Sequence, residues 1–247
     1  MSDLNWPAKD SEPADRRRQE AEWLCAGFAA SRGNAKGRRV LDVDCGPGYV
    51  SFLAGKAGAA QVFGVTDSAP ALAWAGAEFA GGVVRFREGP CGSLPLASGD
   101  VDLVISLETL ERQRDAPGFI AELHRVLAPG GLLVVRAAAL DILRSRHSAF
   151  AFERQRFTRR RMAGMAESAG FRVLRCTYVN SLLLPVALAR FRIWEPLLRQ
   201  PASSGVQPVA GWLDGMLYSA LALESRWVGA GHGFPAGQSL LLLGEKL

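Results

Sequence analysis

Along positions 40–138, short apolar runs alternate with stretches whose apolar residues recur every three or four positions, the pattern of strands alternating with helices. The runs at 40–43, 61–65 and 101–106 are rich in Val, Leu, Ile and Phe, which predicts parallel strands covered on both faces. A weaker alternation at 83–88 and an apolar run at 132–138 predict two more strands. Between them, helices are expected from Tyr49, over 69–79, and after Asp115, whose carboxylate caps a stripe of Phe119, Ile120, Leu123, Val126 and Leu127. Pro129-Gly130-Gly131 ends that helix, and His124, among its polar positions, is expected to be exposed.

The chain beyond is less regular. The stretch 140–158 is long for a loop and is expected to cover a site. Thr158 then caps a helix with Met162, Met165, Ala166 and Ala169 inward, Phe157 stapling onto Met162 and Gly170 as its stop. Strands follow at 171–180 and 239–246, separated by two amphipathic helices, 182–199 and 209–228, around a Pro- and Ser-containing break at 201–208. At the other end, 15–30 spaces Ala21, Leu24, Cys25 and Phe28 as a leading amphipathic helix, where Trp23 serves either as part of a lid or as a core aromatic. We expect one domain over 1–247, with an N-terminal helical segment at 1–35 and a helical insertion at 182–235.

The stretch 40–64 organises the rest. After the strand at Val40, Leu41 and Val43, the turn Gly46-Pro47-Gly48 lets the backbone bend sharply and approach a ligand before the helix begins at Tyr49. A ligand there would sit at a helix N-terminus.

These residues, with others at fixed distances, resemble the class I S-adenosylmethionine-dependent methyltransferases. Asp42, Gly46 and Gly48 align with the family's hydrophobic-Asp-x-Gly-x-Gly-x-Gly motif, with Asp44 where it has its first glycine. Ser93-Leu94-Pro95-Leu96 ahead of Gly99-Asp100-Val101-Asp102-Leu103-Val104 is similar to its LPF…DGSFDLV passage. Leu107-Glu108-Thr109-Leu110-Glu111, followed by Ala121 to Gly131, is similar to its LEVLEH…ELxRVLKPGG. The resemblance implies a Rossmann-like α/β fold: a mainly parallel seven-stranded sheet with helices on both faces and an antiparallel last strand. It also implies S-adenosylmethionine as cofactor, the 1–35 segment as its lid, and Asp42, Asp44, Gly46, Gly48, Thr66, Asp67 and Leu107 around it.

Four signature positions depart from the family. Besides Asp44, Thr66 stands where the family has the acid that takes the ribose hydroxyls, with Asp67 one residue later; Pro90 replaces the acid that contacts adenine, and Arg112 replaces the histidine of LEH. A one-residue shift at a strand end reverses side-chain direction. Asp67 is the remaining ribose candidate. Arg156-Phe157-Thr158 resembles the RRYT of a branch associated with envelope glycans and lipid-linked intermediates.

Function is therefore read as methyl transfer to a small-molecule or lipid- or glycan-linked acceptor. The alternative is a protein of this fold that has lost methyl transfer and acts as a partner subunit or a non-methylating enzyme. For the general base His147 is the first candidate, equally readable as a solvated loop histidine, and His232 the second, better read as a plain loop residue. Glu108 and Glu111, at the carboxyl edge of the sheet, line the crevice or sit in a surface loop.

Charge and cysteines narrow the classes. The 247 residues, 49% hydrophobic and 21% charged, suffice for one substantial core. From 136 to 175 there are ten arginines against Asp141, Glu153 and Glu167, which suits a solvated face or a phosphate-bearing substrate. No aromatics interleave with them for base stacking, so no nucleic-acid partner is expected, and an RNA methyltransferase is the least favoured reading. Cys25, Cys45, Cys91 and Cys176 form no C-x-x-C pair and have no neighbouring histidine, so neither metal nor disulfides are expected. Met1-Ser2-Asp3-Leu4-Asn5 lacks the basic start of a signal peptide, and no stretch reaches the roughly 18 apolar residues of a membrane span, so a cytoplasmic protein is expected. The apolar helices of 182–235 leave three roles open: a cap on the substrate pocket, an oligomer face, or peripheral membrane contact.

Overall fold

The computed structural model describes residues 35–145, 148–149, 151–194 and 211–247. Seven strands form one sheet: β1 (Arg39–Val43), β2 (Gln61–Thr66), β3 (Val84–Glu88), β4 (Val101–Leu107), β5 (Leu127–Ala138), β6 (Phe171–Val179) and β7 (Ser239–Lys246). Their order is β3-β2-β1-β4-β5-β7-β6. The pairs from β3 to β5 are parallel, and β7 runs antiparallel to both β5 and β6. Strand order reverses between β1 and β4, so their carboxyl ends open the crevice where ligands of open α/β sheets bind.

The near-continuous apolar runs are explained by burial on both faces. Leu41, Val43, Val104, Leu133, Leu240 and Leu242 point into one core, which α3 (Ala116–Val126) and α4 (Arg159–Ser168) cover with Phe119, Leu123, Met162 and Ala166. Their neighbours Val40, Leu103, Leu132, Val134, Leu241 and Leu243 point into the other, with Ala54 of α1 (Tyr49–Lys56) and Val228 of α6 (Gly211–Gly229). Each fully buried Leu or Phe contributes about 1.5–3 kcal/mol of transfer free energy. Helix α2 (Ala69–Phe79) starts on the Ser68 hydroxyl, which accepts from Ala71 N, and α5 (Leu184–Ala189) runs into a π turn, Arg190–Trp194. Asp115 and Thr158 cap α3 and α4 as expected, and Gly170 takes the left-handed stop with φ 95°.

Several expectations are corrected. The strand expected at 132–138 begins at Leu127: the chain passes from α3 straight into β5, pairing Leu127 with Val101 before a register shift that absorbs Pro129-Gly130-Gly131. The helix expected over 182–199 is a short α5 and a π turn as far as Trp194, because Pro185 favours a first helical turn and the following run does not hold the α register. His124 is half-buried, edge-on to Phe171 with ring centroids 5.0 Å apart, and its carbonyl accepts from Lys246 Nζ at 2.7 Å. Burial and Lys246 lower its pKa. Among the described residues, no helix is long and apolar enough to cross a membrane.

Candidate active site

The loop after β1 is left-handed at three positions, with φ 60° at Asp44, 51° at Gly46 and 86° at Gly48. Asp44, despite its side chain, adopts the conformation that the family's glycine favours, at a cost of about 1–2 kcal/mol. Gly46 faces open space, whereas a Cβ on Gly48 would lie 2.6 Å from Cζ of Phe86 and 2.8 Å from Cβ of Ala75. Gly48 therefore permits close packing of α1, and Gly46 is the position at which backbone is free to meet a ligand.

What holds Asp44 is Arg112, from a 3-10 turn (Leu110–Arg112) just past β4, whose Nη2 donates to its carboxylate. Nearby, the Thr109 hydroxyl donates to the Val43 carbonyl at 3.4 Å, so two side chains link the ends of β1 and β4. Burial raises the pKa of Asp44; Arg112 opposes that rise and the charge of Asp67 adds to it. Asp42 points into the protein instead: it is buried, accepts from the Ser51 hydroxyl at 2.7 Å, and is pushed up to about 7 by burial. It fastens α1 to β1 and thereby shapes the loop.

The second strand ends as the one-residue shift implies. Thr66 is buried with its hydroxyl accepting from Ser68 N at 3.2 Å, while Asp67 is exposed and acts electrostatically on both Asp44 and Cys91. Burial pushes the Cys91 thiol up to about 12, so it is a packed neutral group beside this cleft. Past β3, Gly89 N donates to the Thr66 carbonyl at 3.1 Å, and Pro90 presents no carboxylate.

Across the β1–β4 gap lies a cavity of about 820 Å³. Leu107, Leu143, Ala149, Phe152 and Phe191 give it an apolar wall, and Arg112 belongs to both the cavity and the loop. Three carboxylates, Glu108, Glu111 and Glu153, and one further arginine, Arg156, line it. Arg136, almost fully buried at the end of β5, donates from Nη2 to Glu108 at 2.8 Å, and Arg156 pairs with Glu153 at 2.8 Å with both side chains nine-tenths buried. Glu111 is 3% exposed, and burial raises it to about 7, with Glu108 and Glu153 adding to the rise.

The structure thus brings together Asp44, Gly46, Asp67, Leu107, Glu108 and Glu111. It turns Asp42 and Thr66 to internal bonds and uses Gly48 for packing. His232 does not reach the cavity: its ring stacks on Trp227 with centroids 4.1 Å apart, because α6 ends there and holds it on the outer face. His147 and the leading helix of 1–34 lie outside the described residues. Arg112, Arg136 and Arg156 escaped sequence reasoning as site residues. The signal for Arg112 was present, since its departure from the histidine accompanies the departure at Asp44.

The fold and this loop define an α/β protein built to hold a ligand at the β1–β4 switch point. Residues 41–135 match the family described as Methyltransferase domain. A probable tocopherol O-methyltransferase of Oryza sativa subsp. japonica is 36% identical over 132 residues, covering 49% of this chain and 36% of that one. A demethylmenaquinone methyltransferase of Thermus thermophilus is 39% identical over 101 residues, covering 40% and 46%. The chain thus spans less than half the length of these relatives. Among solved structures, an S-adenosylmethionine-dependent methyltransferase from Mesorhizobium loti superimposes with a TM-score of 0.64 at 16% identity, covering 93% of this chain and all of that one, a likeness of fold.

Proposed function

We propose that the protein is an S-adenosylmethionine-dependent methyltransferase acting on an oxygen of a small, largely apolar molecule. The observation that carries this reading is the left-handed loop at 44, 46 and 48, joined through Arg112 to a cavity whose volume suits a small ligand. The residues fit the cofactor: Gly46 faces open space, Asp67 is exposed beside the loop, and Asp44 is neutralised by Arg112. Bound S-adenosylmethionine would supply a methyl group on a sulfonium whose sulfur keeps the bonding pair when it leaves. In this reading Gly46 backbone meets the methionine portion, Arg112 neutralises Asp44 beside that portion's carboxylate, and Asp67 takes the ribose hydroxyls in place of Thr66. The cavity holds the acceptor, and its apolar wall excludes water and fixes the acceptor's orientation, which is most of what an alkyl transfer requires. An oxygen acceptor is carried over from the name of the rice relative.

The same reading makes the described part of 182–235 a cap, since Phe191 reaches the cavity wall. Calorimetric titration with S-adenosylmethionine tests it. Micromolar binding is expected, and Asp67→Ala should weaken it about tenfold or more, as for a lost hydrogen bond to a charged group of about 1.5–3 kcal/mol. Absence of binding up to millimolar cofactor overturns the reading and leaves a protein of this fold without methyl transfer.

A further inference from the structure

Of the three carboxylates that line the cavity, two pair with an arginine, and the arginine of the neighbouring loop is taken by Asp44. Glu108 has Arg136, Glu153 has Arg156, and Asp44 has Arg112. Glu111 is left: 3% exposed, lining the cavity, with no hydrogen bond from any described residue reaching its Oε2. A carboxylate buried without a donor is costly to keep, and native proteins rarely leave such a group unmatched without a function. Its position is also fixed from both sides. The Glu111 carbonyl accepts from Arg154 N at 2.9 Å and Gln155 N at 3.2 Å, tying the 3-10 turn to the loop that forms the opposite wall. The side chain is therefore held by backbone while its Oε2 lacks a donor.

We propose that Glu111 is the anchor and proton acceptor for the hydroxyl of an apolar acceptor molecule bound in this cavity, an inference that rests on the methyltransferase reading above. The hydroxyl donates to the carboxyl. As reaction proceeds the O–H bond breaks, the proton bonds to the carboxylate, and the oxygen keeps the electron pair with which it takes the methyl group. The charged groups facing Glu111 are Glu108 from the end of β4, Glu153 from the opposite wall and Arg112 from its own turn. Burial and the two carboxylates raise it to about 7, where a base is half ionised at neutral pH and still strong enough to take a proton.

The test uses 1-naphthol and its methyl ether, two apolar ring compounds that differ in the hydroxyl proton, titrated against the whole protein and against Glu111→Gln, a substitution of equal volume. Wild type is expected to prefer naphthol by about tenfold or more at pH 8, as for a hydrogen bond to a charged group. That preference should shrink severalfold below pH 6, where the carboxyl is protonated. Glu111→Gln should retain its thermal midpoint and its heat of S-adenosylmethionine binding, and show a small preference that does not change with pH. Equal binding of the two compounds by wild type, no binding of either, or an undiminished pH-dependent preference in Glu111→Gln overturns the proposal. The cofactor titration on the same samples separates the two readings. Cofactor binding without a naphthol preference rejects Glu111 and leaves the methyltransferase standing; the reverse rejects the methyltransferase and leaves the hydroxyl site.

Discussion

Arg112 donates to the carboxylate of Asp44 across 68 residues of chain, and each stands where the class I family has a different residue. Separately, the two departures look damaging: a carboxylate where backbone meets the methionine end of the cofactor, and an arginine where a histidine is expected. Together they neutralise one another and join the ends of β1 and β4.

The pairing predicts non-additive effects on cofactor affinity. Arg112→Ala strands the Asp44 carboxylate, 16% exposed, next to the cofactor's own carboxylate and should weaken S-adenosylmethionine binding by about tenfold or more. Asp44→Gly in the same chain removes the stranded charge and relaxes the left-handed backbone, so the double variant should recover most of that loss. Calorimetry on wild type, both single variants and the double variant checks it; losses that simply add would show that the two residues are not coupled at the cofactor site.

These couplings show what a sequence can and cannot convey. The strands were legible because both sheet faces are buried, so apart from one aspartate each, Asp42 and Asp102, Val40 to Val43 and Val101 to Ile105 are wholly Val, Leu and Ile. Caps at Asp115 and Thr158 were legible because their chemistry is local. The start of β5 was not, since Pro129-Gly130-Gly131 reads as a helix stop and nothing local reveals that Leu127 already pairs with Val101. The arginines of the site were hidden for the same reason. Arg136 lies 28 residues from Glu108, and in the sequence it is one of ten in a basic stretch; only the register Leu107 to Arg136 sets it against the end of β4.

The basic stretch itself should not bind RNA. Four of its nine described arginines pair with acids, Arg136 with Glu108, Arg144 with Asp141, Arg156 with Glu153 and Arg172 with Glu245, and two more donate elsewhere, Arg161 to Gln155 and Arg175 to the Val228 carbonyl. Filter binding with single-stranded and duplex RNA at about 0.15 M salt should show no retention. Tight binding that falls steeply as salt rises would restore the RNA reading, because that slope counts phosphate contacts.

Asp42 predicts a pH dependence of stability. Burial pushes its folded pKa up to about 7 from the ordinary 3.8, so the folded protein binds a proton that the unfolded chain has released. The contribution is complete below the unfolded value, declines as pH rises from about 4 to 7, and is absent above. Glu111, raised from 4.5 to about 7, acts with the same sign. Denaturant midpoints should therefore fall as pH rises from 5 to about 8. Asp42→Asn, which has no proton to release and can still accept from Ser51, should flatten that fall; an unchanged slope would mean the carboxyl is ionised in the folded protein at both pH values.

The helical insertion is attached through a buried carboxylate. Glu224 of α6 is fully buried, and its Oε2 accepts from Ser181 N at 2.8 Å and Leu182 N at 3.0 Å, fixing the chain where it leaves β6 for α5. Around this point Leu182, Val186, Ile193, Trp194, Trp212, Met216, Leu223 and Trp227 are exposed, so among the described residues few apolar contacts secure the insertion other than Ala187 and Val228. Glu224→Ala leaves two backbone donors without an acceptor, at about 1–3 kcal/mol each, and opens a small void. Much of that loss should appear as local opening, since the two strands flanking the insertion, β6 and β7, keep their ladder with each other, and β7 keeps its ladder with β5. Limited proteolysis should cut Glu224→Ala within 181–230 several times faster than wild type, while hydrogen exchange in β4 and β5 changes little. Equal cleavage rates, or faster exchange spread evenly through the sheet, would show that Glu224 serves the whole fold rather than the attachment of this segment.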